Sequence, residues 1–211
     1  TKVTITPVFG LIDEESASDV FVDLVDNSWY SAAVDAMVEN GLMAGVSEDK
    51  FAPEMNLTRS MVVQILWAMA GKPVVNYALT FEDVPAGAWY TEAVRWAASE
   101  GVVSGYSAET FGSNDAVTRE QLAVMIWKYA GAETSSYNIG SFVDSDQVSG
   151  YAEVAIRWAV ENGLGEAVMK MSFGNRIGFK SCGTVGDQWH LPFWGFLVAE
   201  LTEDVDLPGV M

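Results

Sequence analysis

Cysteine and histidine are almost missing from this sequence: Cys182 and His190 are the only ones among 211 residues. One thiol excludes an intramolecular disulfide framework and a multi-thiolate metal site within the chain, though it does not fix the compartment. One imidazole excludes triad or metal chemistry built on several histidines. No metal and no cofactor is therefore expected. Basic residues are scarce too, 11 against 29 acidic ones, for a net charge of −18. A field of that sign repels nucleic-acid phosphates and anionic lipid surfaces; it keeps a surface solvated or draws cationic partners. Long apolar runs are also lacking. The densest, LPFWGFLVA at 191–199, is about half of what a membrane span needs, so no membrane insertion is expected. Thr1 offers no initiator Met, basic n-region or h-region, so the chain is expected to be a processed product or a fragment of something longer.

With 50% hydrophobic residues, what remains is enough to bury a sizeable core. Its organising feature is an internal repeat. Adding sixty to each number from Phe21 to Gly71 gives Phe81 to Gly131 without a gap. Identities fall at Phe21/Phe81, Asp23/Asp83, Trp29/Trp89, Tyr30/Tyr90, Gly41/Gly101, Gly45/Gly105, Phe51/Phe111, Thr58/Thr118, Arg59/Arg119, Trp67/Trp127 and Gly71/Gly131. A third copy opens at Phe142 and Asp144, places Tyr151 where Trp29 and Trp89 stood, and fades.

Each copy reads as two helices joined by a glycine-containing loop. Tyr30, Ala33, Val34, Met37 and Val38 share one helical face, and Gly41 stops that helix. Met61, Val62, Ile65, Leu66 and Met69 form a second stripe, matched by Gln121, Leu122, Met125, Ile126 and Tyr129. One such pair cannot bury its apolar face alone, so a compact all-α domain of pseudo-repeats is expected instead of three independent domains.

Thr58 and Thr118 suit the N-cap of the second helix, and Gln121 completes a capping box. Arg59 and Arg119 need another reason, because a cation at the first helical position is disfavoured by roughly 0.3–1 kcal/mol against the macrodipole. One reading is an anion site, where free N–H groups, the positive helix end and a guanidinium converge on a carboxylate or phosphate. The other is an internal ion pair with an acid such as Asp23 or Asp83. Trp29 and Trp89 suit either a stacking floor for a sugar ring or a cover over the core. Trp67 and Trp127 read as core, and Gly41/Gly45 and Gly101/Gly105 as turns.

The Phe-x-Asp opening, Trp-Tyr entering a helix that ends at Gly, the GLMAG and GVVSG steps, Phe51 or Phe111, and Thr-Arg heading a second helix together resemble the S-layer homology (SLH) domain family. The resemblance covers about 21–165. It implies an all-α fold, a pseudo-threefold bundle of helix-loop-helix repeats whose grooves bind secondary cell-wall polysaccharide, often at a pyruvylated sugar, and hold a protein on a bacterial surface. The ligand-binding residues it implies are Thr58, Arg59, Thr118, Arg119, Asp23, Asp83, Asp144, Trp29 and Trp89. The expected location is extracellular, at the cell wall or S-layer.

The domain boundaries read as repeats at 21–71, 81–131 and a partial 142–180, where Lys180-Ser181 replaces Thr-Arg, then a divergent tail at 181–211. Residues 1–20 read as a linker or the end of an upstream β domain, since TKVTITPVF alternates as a short β-like segment would. Three rival readings stand beside attachment to wall polysaccharide. Polyamine-bearing peptidoglycan in a diderm envelope suits the acidic charge; self-assembly into a surface layer suits the aromatic tail. A glycosidase would need a distinctive acid/base pair, and none is identifiable.

Overall fold

The computed structural model describes residues 16–162, apart from 27, 29, 141, 143 and 144. The expectations for Trp29, Asp144, the β-like start, Lys180 and the tail with Cys182 and His190 lie outside these residues. What is described is helical: α1 (Ala17–Val20), α2 (Ser31–Glu39), α3 (Arg59–Met69), α4 (Thr91–Ser99), α5 (Arg119–Tyr129) and α6 (Glu153–Glu161), with a 3-10 turn at Ser145–Gln147. No described helix is long and apolar enough to cross a membrane.

The two-helix unit read from the sequence is present. Repeat one contributes α2 and α3, repeat two α4 and α5, and α6 follows the Phe-x-Asp opening at Phe142. On α2, Ala33, Val34 and Met37 are buried beside Tyr30; on α3, Val62, Ile65, Leu66 and Met69 are. Gly41 and Gly101 follow α2 and α4 in the left-handed region, at φ 65° and 73°, which residues with a Cβ seldom adopt.

The helices pack mainly across repeat boundaries. α3 lies on α4 and α5 on α6, so the second helix of one copy meets the first helix of the next. One apolar core runs through repeats one and two and takes in Trp158 and Ala159 of α6. A smaller cluster joins Ala123 to Ile139, Ala152, Ala155 and Ile156. Burying these faces jointly is what a single pair could not do.

Trp67 and Trp127 stand at the edge of the core instead of inside it. Each indole N–H donates to a carbonyl of the following linker, Trp67 to Pro73 at 2.9 Å and Trp127 to Glu133 at 3.1 Å. A second fastening recurs at positions 17, 77 and 137. Arg95 Nη1 donates to the carbonyl of Tyr77 and Arg157 Nη1 to that of Tyr137, both at 2.6 Å. In repeat one the polarity is reversed: Asp35 Oδ1 accepts from the N–H of Ala17 at 2.7 Å.

Candidate functional site

The Phe-x-Asp aspartates organise the loop between the two helices. Asp23 accepts from the N–H groups of Phe51 at 2.9 Å and Ala52 at 2.8 Å. Asp83 accepts from Phe111 at 2.7 Å, Gly112 at 2.6 Å and Ser113 at 3.2 Å. Burial alone raises a carboxyl's pKa, but these N–H donors outweigh it and hold both acids below the ordinary carboxylate value. The phenylalanine that opens the motif packs on the one at the loop's end, with ring centroids 5.6 Å apart in both copies. That approach is why Gly45 and Gly105 are glycines. A Cβ on Gly105 would meet Phe81 Cε1 and Ser107 O at 2.5 Å, and one on Gly45 would meet Phe21 Cε1 and Lys50 O at 2.6 Å.

Thr58 and Thr118 cap α3 and α5, their hydroxyls accepting from Met61 at 3.3 Å and Gln121 at 3.2 Å. Gln121 Oε1 returns the bond to the N–H of Thr118 at 3.2 Å, closing the capping box. The first N–H groups of α3 are taken within the protein. Arg59 donates to Asp115 O at 3.0 Å and Ser60 to Ser113 O at 3.1 Å, while Val62 donates to Thr58 O. A bridge between Thr58 and Ala116 ties the same strand-like stretches together. The head of α3 thus docks on repeat two and keeps no free N–H group for an anion.

The Arg59 side chain follows the same direction. It is 5% exposed; Nε donates to Phe111 O at 3.0 Å and Nη2 to Ser104 O at 2.8 Å. Its guanidinium carbon lies 4.6 Å from the Tyr106 ring centroid and 4.7 Å from that of Phe111, within cation–π range. Burial weakens its hold on the proton, opposed by Tyr106 and the carboxylates of Asp115 and Asp83, and a guanidinium stays charged regardless. Neither Asp23 nor Asp83 forms a direct ion pair with it among the described residues. Arg119 is half-buried at the head of α5.

Two features lie where the copies meet. The first is a cleft of about 460 Å³ bounded by the Gly41–Val46 loop and α3 of repeat one, with Trp89 of repeat two across it. Trp89 is 58% exposed and stands edge-on to Tyr90, centroids 5.0 Å apart. The second is a cluster of aromatic and polar side chains that joins repeat two to the residues after it. Tyr106 and Tyr151, 52% and 61% exposed, flank the start of α5. Gln121 Nε2 reaches Tyr106 Oη at 3.5 Å, and Glu120 accepts from Tyr151 Oη at 3.2 Å and from the N–H of Ser149 at 2.8 Å. The structure therefore brings Arg59, Tyr106, Thr118 and Tyr151 into one cluster, with Arg59 buried beneath Tyr106, and sets Trp89 at the cleft. Tyr106 was not legible as a site residue, because repeat one has Val46 in its place and a ladder of identities cannot reveal what one copy alone carries. Exposed aromatic faces beside hydrogen-bonding side chains suit a saccharide: apolar ring faces stack and hydroxyls find partners.

The S-layer homology domain matches this chain over residues 21–60 and 80–123, and both matches end just past a Thr-Arg pair. The chain is 25% identical over 151 residues to exoglucanase XynX of Acetivibrio thermocellus, covering 70% of this chain and 14% of that protein. It is 27% identical over 138 residues to the surface-layer 125 kDa protein of Lysinibacillus sphaericus, covering 65% and 12% respectively. With outer membrane protein SlpA of Thermus thermophilus it shares 30% identity over 97 residues, 43% of this chain and 11% of that protein. The chain spans only a small part of the length of each of these relatives.

Proposed function

Because residues 21–60 and 80–123 are S-layer homology domains, we propose that the chain is a non-catalytic module that holds a protein at the bacterial cell surface. Its partner is wall polysaccharide, bound in the inter-repeat grooves through sugar rings and an acidic substituent such as a pyruvyl ketal. The observation that carries this reading is Trp89, a large aromatic left 58% exposed at the mouth of a formed cleft. Arg59 braces the Tyr106 loop from within the fold, while Thr118 and Arg119 stand at the head of α5, where Thr118 lies beside Tyr151. Relatives named as an exoglucanase and as surface-layer proteins fit a module joined to different cargoes, since what they share with this chain is a minor part of each.

The test is retention on purified wall sacculi, before and after removal of ketal-linked acid groups. The parent protein is expected to sediment with untreated sacculi and to lose much of that retention after treatment, and Trp89→Ala is expected to weaken it without unfolding the protein. Absence of retention on any sacculi would defeat the proposal. Tighter binding to polyamine-bearing peptidoglycan than to acidic polymer would instead favour the amine ligand that the charge of −18 suits.

A further inference from the structure

The cleft of about 460 Å³ beside Trp89 is open and apolar where the corresponding surface of the next copy is closed or polar. On its loop wall Leu42 and Met43 are half-buried, whereas Val102 and Val103, sixty residues on, are buried. Along α3, Met61, Ile65 and Ala68 line it at i, i+4 and i+7, so they share one helical face. Met61 gives way in repeat two to Gln121, which is spent on the capping box. Opposite stands Trp89, 58% exposed. An uncovered apolar furrow of this kind marks a site for an apolar partner, and unbranched methionines adapt to one. A single cation borders it. Lys72, just past the end of α3, forms no ion pair among the described residues, and its counterpart in repeat two is Ala132.

The chain carries a segment of matching chemistry at 191–201, LPFWGFLVAEL. Its Phe193, Phe196, Leu197 and Glu200 fall at i, i+3, i+4 and i+7, the spacing of one helical face. An apolar stripe there ends in a carboxylate, as the stripe of α3 ends at Lys72, and Glu203 and Asp204 follow. Residues 163–190 tether this segment to the end of α6, a length that spans up to about 90 Å when extended. Tethering holds such a segment at an effective concentration on the order of millimolar, so even weak docking is populated.

We propose that residues 191–201 of the same chain dock in this cleft, with Phe193, Phe196 and Leu197 against Met61, Ile65 and Trp89, and Glu200 meeting Lys72. The contact is autoinhibitory: it covers the Trp89 face that a wall ligand needs, so the polymer must displace the segment before it binds. Docking follows from the cleft and the matching segment, and only its inhibitory effect rests on the anchoring function proposed above.

Carbodiimide crosslinking of the full chain tests the docking, because it joins an amine to a carboxylate only where the two touch. The parent is expected to form an amide between Lys72 and Glu200, within one chain and at a yield independent of protein concentration. Phe193→Ser/Leu197→Ser is expected to lower that yield at least tenfold. On sacculi, Glu200→Lys is expected to raise retention about fivefold, the size of a surface ion pair lost to repulsion, and adding Lys72→Glu to the same chain is expected to return it to the parent value. A crosslink found only between chains, growing with concentration, would make the occupant a second copy and overturn the assignment. Absence of the Lys72 to Glu200 crosslink, or a yield that Phe193→Ser/Leu197→Ser leaves unchanged, would overturn it as well. Retention that none of these variants alters, with the crosslink formed as expected, would remove the inhibitory role. Should no sacculi retain the parent or any variant, anchoring fails, while the crosslink still decides the docking.

Discussion

Arg59 of repeat one and Phe111 of repeat two are joined twice, by an Nε to carbonyl hydrogen bond of 3.0 Å and by the guanidinium lying 4.7 Å from the Phe111 ring centroid. The N–H of the same phenylalanine is held by Asp83 at 2.7 Å. The Thr-Arg motif of one copy and the Phe-x-Asp motif of the next therefore grip opposite sides of a single peptide residue. They act together without an ion pair, and the doubly paired backbone fixes the loop that presents Tyr106.

Removing that arginine is expected to show first as lost stability. Arg59→Ala leaves the Phe111 and Ser104 carbonyls without their donor and exposes the Tyr106 and Phe111 faces, at about 1–3 kcal/mol per unsatisfied group. Thermal unfolding is expected to fall by roughly 5–15 °C, at about 2–4 °C per kcal/mol for a chain of this size. Arg59→Lys recovers little, because an ammonium cannot fork to two carbonyls and stack as well. An unchanged melting temperature combined with lost sacculus binding would make Arg59 a ligand contact instead of a brace.

Acid is expected to loosen the loops through Asp23 and Asp83. Both hold folded pKa values below the unfolded carboxylate value of about 3.9. Their contribution is complete above that pH and is lost as pH falls through the lower folded value, since only then does the native state take up the proton. Asp83→Asn is expected to be less stable than the parent at neutral pH, because an amide presents N–H to N–H groups. The gap should narrow below about pH 4 as the parent's own carboxyl becomes neutral. Melting curves from pH 7 to 2 check this, and a gap that stays constant throughout would show that the Asp83 charge does not matter. Asp83→Ala is expected to cost more than Asp23→Ala, three N–H groups being orphaned against two.

Two glycines separate a conformational requirement from a steric one. A Cβ on Gly101, at φ 73°, meets nothing, so Gly101→Ala is expected to cost about 1–2 kcal/mol for the left-handed backbone alone. A Cβ on Gly105 meets backbone oxygens of Ser107 and Thr110 as well as Phe81, and these cannot swing aside. Gly105→Ala is therefore expected to cost more and to disturb the Phe81–Phe111 pair. Denaturant unfolding of the two variants ranks them, and equal losses would contradict the close-approach account.

How far the sequence could be read follows from which residues repeat. Helical periodicity and capping chemistry are local, so Thr58, Thr118, Gly41 and the stripes of α2 and α3 were legible as such. The sixty-residue ladder also marked Arg59 and Asp83 as a recurrent pair. What it could not supply was direction: the two meet through Phe111, a contact between copies that no within-copy spacing encodes. Packing of α3 on α4 was hidden for the same reason. Lys72 and Tyr106 escaped because each occurs in one copy only, and the linker fastening at Ala17, Tyr77 and Tyr137 because its partners change from Asp35 to Arg95 and Arg157.

Trp89 provides the cleanest division between binding and folding. It is 58% exposed and its ring meets Tyr90 edge-on, so truncation to alanine removes little from the core; surface changes of this kind usually stay within about 0.5 kcal/mol. Its value to a ligand is larger, since a stacking aromatic face contributes about 1 kcal/mol or more, roughly a fivefold to tenfold change in affinity at 1.4 kcal/mol per decade. Trp89→Ala is therefore expected to melt within about 2 °C of the parent and to elute from sacculi at several-fold lower protein concentration. Trp89→Phe, which keeps a smaller ring, is expected to fall between them. Should Trp89→Ala bind sacculi as tightly as the parent while melting markedly lower, the indole is a cover for the core, and the ligand-facing surface of the first groove must be sought elsewhere along the Gly41–Val46 loop.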